Sequence, residues 1–169
     1  MSRAWVIAVG VLACAAEVRA EPAGKVILQD MAARGVSASD AAALTTATCT
    51  ALATSGSLEL LCGDELRALM QWNALASGLD RCRDEACAAA GARALHAERL
   101  VTGSVAKVGG ELVLSLALID AASGQVRARA EARAPSLEAL HARLEVTVRA
   151  LLAPAKPPPP PTSRPTTAH

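Results

Sequence analysis

Cysteines are the residues with the most reactive chemistry in this chain of 169 residues. Cys49, Cys62, Cys82 and Cys87 lie beyond residue 20, and Cys14 sits inside an apolar N-terminal run. Thiols can close disulfides, carry redox chemistry or hold a metal, and spacing discriminates among these. A redox-active pair commonly has two residues between its sulfurs, whereas Cys82 and Cys87 enclose Arg-Asp-Glu-Ala. A zinc site would have to collect its ligands without the paired CxxC spacing that such sites favour. An even set of four in an exported chain reads instead as a disulfide framework. A Cys82–Cys87 bridge would staple a loop onto the first turn of a helix, a small ring that contributes roughly 2 kcal/mol through chain entropy. Cys49 and Cys62 form the second pair if the helix carrying Cys49 folds back over the strand that ends at Cys62. Three connectivities remain open on the sequence alone, and a small thiol or metal protein is the alternative to structural bridges.

Other candidates for chemistry are sparse. His96 falls at a helix end, His141 on the flank of an amphipathic helix and His169 in the tail, none beside a nucleophile. Asp120 opens a turn, where a carboxylate ordinarily accepts backbone N–H groups, and Asp84-Glu85 suit a helix N-terminus. Gly103, Gly109 and Gly110 form neither a GxGxxG nor a Walker loop. The sequence thus assigns no catalytic, cofactor-binding or metal-ligating residue, requires no cofactor, and reads as non-enzymatic.

Composition narrows the partners. There is no Phe or Tyr, and of the two Trp only Trp72 lies beyond the first twenty residues. Base-stacking platforms need aromatics, so nucleic-acid recognition is disfavoured. The chain has 17 basic and 16 acidic residues; the first twenty hold two of the former and one of the latter, so the remainder is neutral. A neutral chain lacks an electrostatic funnel toward phosphate or anionic lipid.

The N-terminus gives an address. Arg3 precedes an apolar run from Ala4 to Ala16, and Val18-Arg19-Ala20 places small residues at the −3 and −1 positions of a cut before Glu21. Residues 1–20 therefore read as a secretory signal peptide, too short for a membrane span of about 20 apolar residues. The expected product is periplasmic. A competing cut lies within the same run, where Val11-Leu12-Ala13-Cys14 resembles a lipobox. Lipidation at Cys14 would tie the protein to a membrane, and membrane contact is expected only then.

These groups must be positioned by a folded unit over residues 25–152. Its centre is the stretch from Arg99 to Arg133, which reads as three antiparallel strands. Leu112, Leu114, Leu116 and Leu118 share one face, and Val126, Ala128, Ala130 and Ala132 alternate with Arg127, Arg129, Glu131 and Arg133. Before this meander, strands are predicted at 25–29 and 58–62, with a polar turn at Arg34-Gly35 between them. Helices are predicted at 40–54 (Ser39 or Asp40 as N-cap; Leu44, Ala47, Ala51 and Leu52 inward, Cys49 at the margin), from Asp64 (Leu66, Leu69 and Met70 inward), and from Asp84 to about Leu95. Trp72 to Leu79 reads as loop. A last helix begins at Pro135-Ser136 and repeats Leu137, Leu140, Leu144, Val148 and Leu151 at intervals of three or four. The fold class is α/β, or α+β depending on how the first strands join the meander: a mixed sheet of about five strands with about four helices. Residues 153–169, with five consecutive prolines from Pro157, read as a disordered tail.

Lys25-Val26-Ile27-Leu28, the CRDEAC segment, Arg99-Leu100-Val101-Thr102-Gly103-Ser104-Val105, and Leu118-Ile119-Asp120 before Ser123-Gly124-Gln125-Val126 together resemble the bacterial envelope domains grouped with the TolB amino-terminal domain and CsgG. The resemblance implies an α/β domain that binds envelope proteins without catalysis. Both turns of the meander are short, unlike the long membrane-inserting hairpins of CsgG-like pores, and no propeller follows. The reading is an exported, non-enzymatic interaction module of unspecified partner and oligomeric state, accessory to envelope assembly or an outer-membrane complex. The alternative is an outer-membrane lipoprotein subunit of a secretion or transport system anchored through Cys14.

Overall fold

The computed structural model describes residues 23–56, 58–72, 82 and 84–153. The expected signal peptide over residues 1–20, Cys14, the segment 73–81 and the proline-rich segment lie outside the described residues. Among these described residues eleven elements follow in order: β1 (Ala23–Leu28), β2 (Ala32–Arg34), α1 (Ala38–Thr54), β3 (Leu58–Leu61), α2 (Gly63–Trp72), α3 (Glu85–Ala94), β4 (Arg99–Val108), β5 (Glu111–Asp120), β6 (Val126–Ala134), α4 (Leu137–His141) and α5 (Leu144–Leu152).

The sheet is mixed, in the order β3-β1-β4-β5-β6, with β2 pairing β4 beyond the end of β1. β1 is parallel to both its neighbours. Such a strand is covered on both faces and needs a continuous apolar run rather than alternation; Val26, Ile27 and Leu28 supply it, each essentially inaccessible to solvent. The α1 crossover from β1 to β3 lies on one face, and α2 and α3, between β3 and β4, lie on the other.

The meander forms as its alternation predicts. Gly109 and Gly110, both at positive φ, make the two-residue reversal between β4 and β5, with Val108 opposite Glu111. A register shift between Leu118 and Ile119 leaves Arg127 as an extra residue on β6, a β-bulge beside the second turn. Leu114, Leu116 and Leu118 point into the larger core with Val101, Val105, α1, α4 and α5; Ile119, Leu100 and Ile27 point into the smaller one with α2 and α3. On α3 the buried positions are Ala88, Ala89, Gly91 and Ala92, small enough to let the helix lie close against the sheet.

Several boundaries differ from the sequence expectations. β2 replaces part of the predicted turn and raises the strand count to six; its three residues are all exposed, so burial leaves no pattern to read. The N-cap of α1 is Ser37, whose Oγ accepts the Asp40 N–H at 3.0 Å, rather than Ser39 or Asp40. Trp72 is the last residue of α2 and not loop, and Leu69 faces outward at 39% exposure while Leu66 is buried. The last helix is broken into α4 and α5 at Ala142-Arg143, where the Arg143 N–H reaches back only three residues to the Leu140 carbonyl and its guanidinium donates to the Arg133 carbonyl at 2.6 Å.

Candidate interaction face

The two faces of the sheet are unequally covered. α1, α4 and α5 cover the leucine face, but α3 covers the other face only over the rows containing Leu100 and Ile119. Among the described residues nothing covers the second face beyond α3, which leaves a trough of about 1050 Å³. Strand register gives its floor. Thr102, Ala117 and Arg129 form one row across β4, β5 and β6, and Ala32, Ser104, Ser115 and Glu131 form the next, starting from β2. Every floor residue of β4 and β5 is small, so a partner's backbone could approach the sheet closely. Among the described residues, the hydroxyls of Thr102, Ser104 and Ser115 make no side-chain hydrogen bond, although all three are half-buried.

The rim carries fixed charge. Arg129 Nη2 meets Glu85 Oε1 at 2.6 Å, tying β6 to the first turn of α3, and Arg133 Nε meets Glu131 Oε1 at 2.7 Å. Arg67 on α2 does not line the trough; it bridges Asp64 at 2.6 Å and Asp30, on the trough's border, at 3.8 Å. Arg34, at the end of β2, forms no ion pair among the described residues. Such exposed pairs add little stability.

At the far end of the meander Asp120 accepts from the Ser123 N–H and Oγ–H, both at 2.8 Å, and from Arg127 Nη2 at 2.9 Å. The Ser123 backbone bond first, then Arg127 and the Ser123 hydroxyl, hold its carboxyl far below the usual range. This is the structural turn role read from the sequence.

The cysteines come together as two pairs. Cys49 on α1 and Cys62 after β3 have sulfurs at bonding distance and Cα atoms 6.4 Å apart; Cys82 and Cys87 likewise, with Cα atoms 5.4 Å apart. Asp84 caps α3 between the latter two, its Oδ1 accepting the Cys87 N–H at 2.8 Å. Cys82 borders the trough, whereas Cys49 and Cys62 line a smaller depression of about 420 Å³ between α1 and the start of α2. His96 is exposed after α3 at positive φ and His141 is exposed at the end of α4; His169 lies outside the described residues. Among the described residues no group of three or more His, Cys, Asp or Glu could hold a metal, and no helix is long and apolar enough to cross a membrane.

The trough was not assigned from sequence. Its signal was there in part, since Thr102, Ser104, Ser115 and Arg129 occupy the polar phase of the alternation, but the extent of α3 decides which of them remain uncovered.

No protein-family model matches the sequence, and no curated protein matches it. Solved structures match the fold. The LpoB C-terminal domain from Salmonella enterica superposes with a TM-score of 0.54 at 15% identity, over 70% of this chain and 87% of that one. Its counterpart from Escherichia coli gives 0.53 at 18%, over 67% and 83%. Lipoprotein GNA1162 from Neisseria meningitidis gives 0.52 at 11%, over 66% and 80%. At these identities the likeness is one of fold.

Proposed function

We propose that this chain is an exported, non-catalytic protein-interaction domain of the bacterial envelope that receives its partner in the open half of the sheet. The observation that carries the proposal is the trough itself: a floor of small residues with three hydroxyls that make no side-chain hydrogen bond among the described residues, bordered by the Arg129–Glu85 ion pair. The fold shared with LpoB and with lipoprotein GNA1162 supports the envelope setting, as do the signal-peptide pattern and the TolB and CsgG resemblance over residues 25–152. Residues 1–20 act as the signal peptide, the two cysteine pairs close as disulfides in the periplasm, and residues 153–169 serve as an extended tail.

The direct test places a photo-cross-linking residue at Ser104 or Ser115 in the exported protein, with Thr46 on the opposite side of the sheet as control. A defined protein adduct at the trough positions and none at Thr46, with the Ser115 adduct lost on introducing Ser104→Arg, is the expected result. Equal labelling at all three sites would refute the assignment.

A lipid-anchored form is the second reading, favoured by the Val11-Leu12-Ala13-Cys14 run and by the fold shared with a lipoprotein. Intact mass of the exported product separates the two: a chain starting at Glu21 is free, and one starting at an acylated Cys14 is anchored.

A further inference from the structure

Trp72 is 89% exposed, yet beyond residue 20 it is the sole aromatic side chain of a sequence without Phe or Tyr. The core is made of Leu, Val, Ile and Ala with Met31, and the one side chain with the largest apolar area to bury stands in water. α2 shows how it is held there. Leu66 is buried and Met70 half-buried against the smaller core, which turns the opposite flank outward. On that flank Leu69, 39% exposed, precedes Trp72 by three residues; Ala68 precedes it by four and Glu65 by seven, two helical turns away. The result is an apolar knob with a carboxylate next to it.

We propose that Leu69 and Trp72, with Glu65 beside them, are a docking knob for a protein partner that presents an apolar pocket rimmed by Arg or Lys. The inference rests on the interaction-module reading but uses a surface separate from the trough. Charge selects the occupant. Among the described residues Glu65 has no ion pair, while Arg67, the basic residue of α2, is held by Asp64 and Asp30. A second copy stacked knob to knob would set Glu65 against Glu65. An anionic bilayer would meet Asp64 and Glu65 before any uncommitted cation, the reverse of the basic faces that bind lipid surfaces. A basic rim on a protein instead pairs with Glu65 and can lie over the indole face, and exposed Trp is the residue type most enriched among side chains that dominate protein interfaces.

The test uses the exported protein carrying Trp5→Phe, so that Trp72 is the only tryptophan wherever the leader is cut and reports its own surroundings by fluorescence. A random peptide library displayed on phage is the probe. The expected result is enrichment of peptides that place Arg or Lys beside apolar residues. These peptides shift Trp72 emission to the blue, and binding weakens at least about tenfold in both Trp72→Ala and Glu65→Lys. Ser104→Arg leaves their binding unchanged, so failure of the trough and failure of the knob are read separately. Four results overturn the proposal: no enrichment, peptides bound equally by Trp72→Ala, a blue shift on adding phosphatidylglycerol vesicles, and one that grows with protein concentration alone. Trp72 and Glu65 are exposed, so neither substitution disturbs the core.

Discussion

Gly103 on β4 faces Leu116 on β5 so closely that a Cβ at position 103 would lie 2.8 Å from Leu116 Cδ2, 3.3 Å from the Ser115 carbonyl oxygen and 3.4 Å from Met31 Cγ. Leu116 and Met31 are both buried in the larger core, and the Ser115 oxygen belongs to the ladder itself. Gly103→Ala is expected to cost about 1–3 kcal/mol through overpacking, and Gly103→Val more, despite the usual preference of strands for β-branched residues. Thermal melts at neutral pH check it; an unchanged or raised midpoint for Gly103→Ala would mean that the neighbours yield freely.

Two threonines one turn apart on α1 predict opposite signs. Thr45 Oγ1 accepts the Met31 N–H at 3.0 Å and donates to the Ala41 carbonyl at 3.0 Å, satisfying a backbone donor buried where β1 gives way to β2. Thr45→Val strands that donor and should cost about 1–3 kcal/mol. Thr48 is fully buried, and its Oγ1 has no hydrogen-bond partner among the described residues. Thr48→Val removes an uncompensated polar atom at nearly constant shape, so it should be neutral or stabilising. Chemical denaturation of the two variants decides the sign of each.

These threonines also mark where sequence reading stops. Elements whose burial is periodic were legible: the leucine face of β5, the alternation of β6 and the small-residue face of α3 all follow from local pattern. Positions decided by distant neighbours were not. Leu69 has the right type for an inward position, but α2 packs against the sheet through Leu66 and Met70, and Leu69 turns to solvent. β2 is three exposed residues whose only strand signal is the edge of β4. The break at Ala142-Arg143 interrupts an otherwise regular apolar repeat at the point where Arg143 donates to the Arg133 carbonyl at the end of β6. For the candidate site, the polar phase of the meander was visible, but the open trough depends on where α3 ends, which is a matter of packing between segments far apart in sequence.

The cysteine pairs predict graded losses. Their sequence separations are 13 and 5 residues, and chain entropy assigns about 3 kcal/mol to the longer ring and about 2 kcal/mol to the shorter. The double variant Cys49→Ala/Cys62→Ala should therefore melt below Cys82→Ala/Cys87→Ala. Removal of the second pair should loosen the first turn of α3, read as faster amide exchange at Ala88 and Ala89, while the larger core keeps its protection. Titration of free thiols in the protein isolated without reductant should find none among these four; finding two or more would reopen the thiol or metal reading.

Asp120 gives the pH dependence. Its carboxylate is held by the Ser123 N–H, by Arg127 and by the Ser123 hydroxyl, and all three depress its folded-state pKa. A depressed carboxyl stabilises the fold above its unfolded-state pKa, about 3.9, and that contribution is lost as pH falls from there through the folded value. Asp120→Asn keeps an oxygen that can accept from Ser123 but removes the charge. Its melting midpoint should lie below that of the parent by a constant gap above about pH 5, and the gap should narrow below about pH 4 as the parent loses the same charge in its unfolded state. Arg127→Gln should shrink the gap at neutral pH without abolishing it, because the Ser123 bonds remain. A gap that stays the same from pH 7 down to pH 3 would mean that the charge contributes nothing and that the turn is held by geometry alone.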